Sequence, residues 1–455
     1  MTALRHELRL LLRARLSAAS LLLLLLLSSV AVWSGLHDTA RQSHTIARAA
    51  ALNQLDAAAL AARTRESREG GEPAYYTFHT TWDAPSPAAF LALGLRDVAP
   101  YVMRIRALGL QAQLYDGENL NPEVALPGPF DYAFVLIYLA PLFVIALLHD
   151  LVSGERQSGR LRMLEAMPDS ARMWRRRAVL RYALLLACVV LPAMAGMVAS
   201  GTGGAALLLV LFVTAAYLAF WLGVALLVAT RDWRSVTNAT ALMGVWAVLT
   251  LVLPALANGA IAGAIPVHQG VDLMLAQREL VQGAWDVPRE PTMQRFYAAH
   301  PAWRSSAPLP PTFHWKWLFA FNQLGDEGVA GLAHSYRAGL LSRQRWADRL
   351  GYVLPGVGTQ AVLHRLAATD LPAQLAYQDS TAAFHGAIRT FYYGYLFNDR
   401  PFGAADFAAS PRFVPAAAPL TLPWGGAALT GLLAWVVLSA GLRRLRRLAR
   451  LPRSG

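Results

Sequence analysis

The sequence predicts an all-α polytopic membrane protein with six transmembrane helices and two folded domains outside the membrane. Of the 455 residues, 55% are hydrophobic and only 15% are charged, whereas soluble domains carry about 25% charged residues. Six uninterrupted apolar runs are each long enough, at about 1.5 Å of rise per residue, to cross a hydrocarbon core about 30 Å thick. Two long segments of ordinary polarity separate these runs and must fold outside the lipid.

The apolar runs begin close to the N-terminus and end close to the C-terminus. They are 16–36, 130–148, 182–199, 205–229, 237–265 and 424–442. The first run contains seven consecutive leucines, and the second and fifth carry Pro141 and Pro254. A basic segment precedes the first run, as in a signal peptide, but the run is longer than a typical signal-peptide core and no small-residue cleavage site follows it. We therefore predict a retained membrane anchor.

The distribution of basic residues predicts the orientation. Arginine and lysine are more than three times as dense in the short segments 1–16, 149–177, 230–237 and 443–455 as in the two long segments. Basic residues concentrate on the cytoplasmic side of membrane proteins. We expect both termini in the cytoplasm, both large domains outside, and, from the Ala, Arg and Leu bias of the composition, a bacterial inner membrane with periplasmic domains.

These observations divide the chain into seven parts. They are 1–36 with an amphipathic helix and the first span, 37–129 as the first outer domain, 130–148 as the second span, 149–177 as a charged loop, 178–265 with the third to fifth spans, 266–422 as the second outer domain, and 423–455 with the sixth span and a basic tail.

The outer domains are predicted to be mostly helical, with some β structure in the first. Residues 38–69 are rich in Ala, Leu, Arg and Glu and predict a long helix that continues outward from the first span. The stretch AYYTFHTTW looks strand-like. In the second domain, SYRAGLLSRQRWADRLGYVLPG predicts an amphipathic helix ended by Pro355. The aromatic residues of FHGAIRTFYYGYLF share one helical face, which either packs on the domain core, the favoured interpretation, or binds an amphiphile. The stretch PTFHWKWLFAFNQ is a similar case, with the membrane interface as the alternative.

The sequence lacks the motifs of several functional classes. The only lysine, Lys316, does not follow a glycine-rich loop, so no Walker A motif is present and ATP hydrolysis by this chain is not expected. The HExxH and GxSxG signatures of hydrolases are absent, and the histidines show no metal-ligand spacing. Apart from Arg181 at the entry to the third span, no charged residue lies in the interior of the spans, which disfavours an ion pump. A single cysteine, Cys188, allows no internal disulfide. The basic tail lies beside a membrane helix, where anionic headgroups are a better partner than nucleic acid.

The charged loop 149–177 interrupts this apolar sequence. Its first part, 150–167, predicts one short helix that turns Leu161, Met163, Leu164 and Met167 toward a partner and leaves its charges in water. Pro168 ends this helix, and Asp169 or Ser170 caps the next. A loop of this kind is suited to docking on a soluble partner.

The pattern DLVSGERQSGRLRMLEAMPDSARMWRRR resembles the coupling-helix loop of ABC type-2 exporter permeases. The basic stretch LRHELRLLLRARL before the first span is similar to the amphipathic elbow helix of that family. The stretch LPGVGTQAVLHRLAATDLPAQLAYQDSTAAFHGAIRTFYYGYLF is similar to a subgroup with a large outer domain of unknown function. Two positions depart from the family pattern: Arg160 replaces its common threonine, and arginines around 175–177 replace its re-entry lysine. These changes bear on which ATPase the loop fits.

The resemblance implies a permease subunit of an ABC transporter, an exporter with no enzymatic activity or cofactor of its own. ATP and Mg would be held by a separate ATPase subunit docked on the loop, and a second permease, identical or related, would complete the membrane unit in contact with lipids. The residues expected to contact the ATPase are Glu155, Arg156, Gly159, Arg160, Leu161, Met163, Leu164 and Pro168, with Leu161 and Leu164 as anchors. The alternative is a non-transporting ABC complex that transmits ATP-driven movement to periplasmic envelope partners.

Overall fold

The computed structural model describes residues 2–64, 69–115, 129–167, 170–267, 270–304, 309, 312–415 and 421–448. Within these residues, six helical segments are long and apolar enough to cross a membrane. They are numbered here as spans 1 to 6: Arg15–Arg63, Tyr132–Gln157, Ser170–Ala199, Gly204–Ala229, Ser235–Ala264 and Trp424–Arg447. Their number and order are those predicted from the sequence, and they indicate a predominantly helical membrane protein.

Span 1 is one continuous helix of 49 residues, preceded by the amphipathic helix Thr2–Arg13. The helix runs well past the apolar stretch, which confirms the predicted outward continuation as far as Arg63. The prediction extended to Glu69, but Thr64 caps the helix and Glu69 is not helical; residues 65–68 lie outside the described residues. Past the apolar stretch, the helix contacts the polar segment that follows it in the chain. Gln42 accepts a hydrogen bond from Arg96 at 3.0 Å, and Asn53 accepts one from Thr80 at 3.1 Å.

Spans 2 and 5 are each interrupted by a π-helical turn next to a proline. In span 2 the turn is Val135–Leu139 and Pro141 follows; in span 5 it is Val248–Val252 and Pro254 follows. Pro141 has no N–H to bond the carbonyl of Ile137, four residues earlier. The hydroxyl of Tyr217 in span 4 donates to that carbonyl at 2.9 Å. The neighbouring span therefore satisfies a backbone group that the proline leaves short of a partner.

Span 4 lies at the centre of the bundle and packs closely against span 6. Of the six spans it has the most buried apolar window, 67%, whereas the window of span 5 is only 11% buried. A Cβ atom added at Gly223 would lie 2.6 Å from the backbone nitrogen of Leu438, and one at Gly441 would lie 2.8 Å from the carbonyl oxygen of Gly223. The two helices therefore touch backbone to backbone, as small residues allow in membranes.

The polar segments between spans 1 and 2 and between spans 5 and 6 fold together. The described helices of eight or more residues in this region are Gly270–Gly283, Arg289–Ala299, Trp315–Gly328, Ala330–Leu350, Pro355–Ala367 and Leu371–Leu396. The first segment supplies the short helices Gly71–Tyr76 and Leu110–Tyr115. It also supplies strands β1, His79–Trp82, and β2, Val102–Ile105, which pair antiparallel with His79 opposite Ile105.

Both polar segments contribute to one hydrophobic core, which is a different arrangement from the two separate domains predicted. Ile105 and Leu110 from the first segment belong to the same cluster of buried residues as Phe296, Phe319 and Tyr392 from the second. Long-range polar contacts join the segments as well, since the carboxylate of Asp326 accepts from the backbone N–H of Leu110 at 2.8 Å. We refer to this unit as the large domain.

Local predictions for the large domain were accurate in part. The predicted strand AYYTFHTTW is strand only in its second half, because its first half completes the helix Gly71–Tyr76. The predicted amphipathic helix ends at Leu350, and Pro355 begins the next helix, where its missing N–H costs nothing.

Both aromatic stretches pack into the core of the large domain. Ile388 and Tyr392 of the first are fully buried, as are Phe319 and Phe321 of the second. The core interpretation is therefore confirmed for the first stretch. Most of the second stretch is buried as well, while Phe313 near its start is 46% exposed, and its location at the membrane interface stays a prediction. Lys316 is also buried, at 1% exposure, where its ammonium group pairs with Asp399 at 2.7 Å.

Replacing Gly223 by valine should destabilise the bundle, because the new side chain would overlap the backbone of span 6. Overpacking of this kind costs about 1 to 3 kcal/mol. Gly244→Val in span 5 is the matched control, since an added Cβ there meets no atom within 4 Å. Thermal unfolding in detergent should show a lower midpoint for Gly223→Val than for Gly244→Val; equal midpoints would contradict the close contact.

Candidate coupling surface and juxtamembrane cavity

The charged loop folds as two short helices, Ser153–Gln157 and Leu161–Glu165, where the sequence predicted one. Gly159 separates them with φ of +73°, and no atom lies within 4 Å of the position of an added Cβ. The left-handed backbone, which side-chain-bearing residues adopt at a cost, is therefore the reason for glycine at this position. The change in direction also interrupts the helical periodicity on which the single-helix prediction rested.

The first of these helices is fastened to the start of span 5. The hydroxyl groups of Ser153 and Ser235 lie 2.8 Å apart, and the amide of the buried Asn238 donates to the carbonyl of His149 at 3.2 Å. Arg156 forms an ion pair with Asp232 at 2.8 Å. The sequence analysis did not identify this attachment; the polar residues of RDWRSVTN at the entry to span 5 were the signal available for it.

Glu155 is the centre of a network of ion pairs. Its carboxylate accepts from Arg160 at 2.8 Å and from Arg177 at 2.9 Å, and Arg177 also pairs with Glu7 at 3.1 Å. The side chains of Arg177, Glu155 and Glu7 are each less than 20% exposed, so water screens these pairs less than it would at an open surface. The network joins the amphipathic helix, the loop and the start of span 3.

The apolar residues of the loop divide into two groups, which corrects the expectation that they share one face. Leu161 and Leu164, expected to anchor a partner, are only 5% and 8% exposed and belong to the core formed by the spans. Met163 and Met167 are 60% and 47% exposed. The leucines therefore hold the loop to the rest of the chain, and the methionines form the available apolar surface. Pro168, also expected to contact the partner, lies outside the described residues.

The exposed face of the loop carries Met163 and Met167, together with the exposed Arg160 and Arg162 and the turn at Gly159. Arg160 is paired with Glu155. We call this face the methionine patch. Among the described residues, no group of three or more His, Cys, Asp or Glu side chains is placed to hold a metal ion. The patch has the chemistry of a docking surface, since methionine adapts to irregular apolar partners and arginine pairs with carboxylates.

A concave site lies at the other end of the spans, where the bundle meets the large domain. This juxtamembrane cavity has a volume of about 590 Å³ and is lined by apolar and polar groups together. Phe134 and Tyr138 of span 2 contribute from one side, Ile261 of span 5 from another, and Arg343 and His364 of the large domain complete it. Burial lowers the pKa of His364 to about 4, so this imidazole is neutral at physiological pH.

Asp131 borders the cavity and begins span 2. Its carboxylate accepts from the backbone N–H groups of Phe134 and Leu93, both at 2.9 Å, and so joins the helix N-terminus to the large domain. Burial raises the pKa of Asp131 to about 6, although both hydrogen bonds favour the ionised form.

The fold combines six candidate membrane spans with a charged loop that exposes two methionines at one end and a mixed polar and apolar cavity at the other. Residues 271–416, less than half of the chain, match the family model described as "Domain of unknown function (DUF3526)". No curated protein and no solved structure matches the chain. The matched region lies in the large domain and its description names no activity, so function must be inferred from the geometry.

The raised pKa of Asp131 predicts a pH-dependent term in stability. Between about pH 4 and 6 the folded protein retains a proton that the unfolded chain has released, so this group makes the free energy of unfolding fall as the pH rises through that window. The resulting decrease in the free energy of unfolding is on the order of 2 to 3 kcal/mol. Asp131→Asn keeps one acceptor for the helix N-terminus and does not titrate.

Thermal midpoints of the wild type and Asp131→Asn, measured in detergent at pH 4.5 and pH 7, test this term. The midpoint of the wild type relative to that of the variant should be lower at pH 7 than at pH 4.5. An equal difference at both pH values would show that Asp131 does not titrate in this range.

Proposed function

We propose that the chain is the membrane-spanning permease subunit of an ABC transporter, energised by a separate ATPase subunit that docks on the 149–177 loop. The observation that carries the proposal is the methionine patch, where Met163 and Met167 are exposed at one end of the bundle. Other residues of the loop are bonded to span 5, to span 3 and to the amphipathic helix. The loop's resemblance to the coupling-helix loop of type-2 exporters supplies the identity of the partner. ATP and Mg belong to that partner, and the permease itself requires no cofactor.

The attachments of the loop explain how a movement at the patch would reach the spans. A displacement of the first loop helix acts on span 5 through Ser153 and Asn238. The same displacement acts on span 3 and the amphipathic helix through Glu155 and Arg177. Closely packed elements transmit such displacements because their interfaces do not deform continuously. Two permeases, identical or related, would each receive the movement from one ATPase subunit.

The orientation follows from the same proposal. The methionine patch, the amphipathic helix and the end of span 6 lie at the arginine-rich end of the bundle. The tendency of basic residues to concentrate on the cytoplasmic side supports a cytoplasmic location for that end. The large domain would then be periplasmic in a bacterial inner membrane.

The juxtamembrane cavity favours export over purely mechanical signalling. A complex that only transmits movement to envelope partners needs no space for a substrate, whereas this cavity of about 590 Å³ opens between the ends of spans 2 and 5 and the large domain. Its apolar residues and its polar groups suit an amphiphilic molecule entering from the bilayer.

Met163→Asp should abolish ATPase docking without unfolding the permease. A charge placed at the centre of an apolar contact should cost about 2 kcal/mol or more of docking energy. Met163 is 60% exposed, so the new charge stays in contact with water, whereas Leu161→Asp would place a charge inside the protein. Val414→Asp, on the large domain, is the matched control because Val414 is 80% exposed.

The measurement is the Mg-ATPase activity that copurifies with each tagged protein from native membranes in mild detergent. Activity should accompany the wild type and Val414→Asp and fall at least tenfold for Met163→Asp, with unchanged thermal midpoints. Equal activity in all three preparations, or activity in none, would contradict the proposal.

A further inference from the structure

A second cavity lies at the basic end of the bundle, behind the loop. It has a volume of about 580 Å³ and four elements form its walls. The amphipathic helix contributes Leu10 and Leu11, and the beginning of span 1 contributes Ser17. The loop contributes Met163 and Leu164, and the entry to span 3 contributes Arg181. The cavity thus lies at the arginine-rich ends of spans 1 and 3.

The charged groups around this cavity leave one cation over. Arg160 and Arg177 are paired with Glu155, and Arg177 is paired with Glu7 as well. Arg181 differs from them: Nε and one terminal nitrogen of its guanidinium group are buried and have no hydrogen-bond partner among the described residues. Asp150, Glu7 and Glu155 act on Arg181 electrostatically, but none of them forms an ion pair with it among the described residues. A buried guanidinium without an ion-pair partner is costly in a membrane protein, and an anion bound beside it lowers that cost.

The chemistry of the cavity selects the kind of anion. Two donors of a planar guanidinium match two oxygens of a phosphate. Leucine and methionine side chains of the same cavity offer an apolar surface directly beside that position. A ligand with both a phosphate and an acyl chain satisfies the two requirements together, and basic pockets between membrane helices bind such lipids.

We propose that this cavity binds an anionic phospholipid whose phosphate pairs with Arg181 and whose acyl chains lie along the apolar wall. The bound lipid completes the packing between the amphipathic helix, the loop and span 3. The inference requires only that the spans cross a membrane. Its test, at Arg181, does not involve the docking of an ATPase, although Met163 belongs to both surfaces.

Arg181→Met tests the proposal, because methionine keeps much of the length of the side chain and removes the charge. Arg176→Met is the matched control: it removes the same charge from the same end of span 3, but Arg176 is exposed and lies outside the cavity lining. Each protein is freed of lipid by detergent exchange and titrated with phosphatidylglycerol, phosphatidylcholine or inorganic phosphate, and the thermal midpoint and the bound lipid, counted by native mass spectrometry, are recorded.

Phosphatidylglycerol should raise the midpoint of the wild type and of Arg176→Met, with an apparent affinity about tenfold weaker in Arg181→Met. Phosphatidylcholine and inorganic phosphate should have little effect on any of them. If inorganic phosphate raised the midpoint as much as phosphatidylglycerol, the ligand would be a free anion and the lipid proposal would be wrong. If all variants responded equally to phosphatidylglycerol, Arg181 would not form the binding site.

A second substitution keeps the proposal testable if Arg181→Met does not fold. Arg181→Lys retains the charge but cannot form the bidentate pair. It should bind phosphatidylglycerol about threefold more weakly than the wild type while keeping the preference over phosphatidylcholine. An unchanged affinity in Arg181→Lys would contradict the pairing of the guanidinium group with phosphate.

Discussion

A peptide group in hydrocarbon cannot form hydrogen bonds with water. Every backbone N–H and C=O group of a span must therefore bond within its own helix or with a group on a neighbouring helix. This constraint explains why span 4 lies at the centre of the bundle. The hydroxyl of Tyr217 donates to the carbonyl of Ile137, to which Pro141 cannot donate because it has no N–H. The hydroxyl oxygens of Thr214 and Tyr132 lie 2.6 Å apart. On its other side Gly223 allows contact with the backbone of span 6. The interrupted span and the closest helix pair therefore both depend on span 4.

The parts of the fold that were predictable are those that the sequence encodes locally. Hydropathy and run length predicted the spans, and the composition after the first run predicted the continuation of span 1. The shared core of the large domain was not predictable in this way, because it depends on contacts between residues far apart in the chain. Leu110 and Asp326, or Leu108 and His385, carry no local pattern that relates them.

The candidate site shows the same division. Its location in a charged loop between two spans was evident, and the motifs within the loop gave the resemblance to coupling helices. The orientation of its side chains depended on features outside the loop. The partner of Arg177 is Glu7, near the N-terminus, and the partner of Arg156 is Asp232, beyond span 4. These internal pairs occupy Glu155, Arg156 and Arg160, the charged residues expected to meet an ATPase, whereas Met163 and Met167 remain exposed.

The length of span 1 has a mechanical consequence. A helix of 49 residues is about 70 Å long, and it connects the amphipathic helix at one end of the bundle to the β-strands of the large domain at the other. Along a rigid rod of that length, a tilt of about 5° about one end displaces the other end by about 6 Å. Asp56, close to the far end, is paired with Arg104 of strand β2 at 3.0 Å. A rotation too small to open a gap between the spans would therefore be amplified into a movement of several ångströms in the large domain.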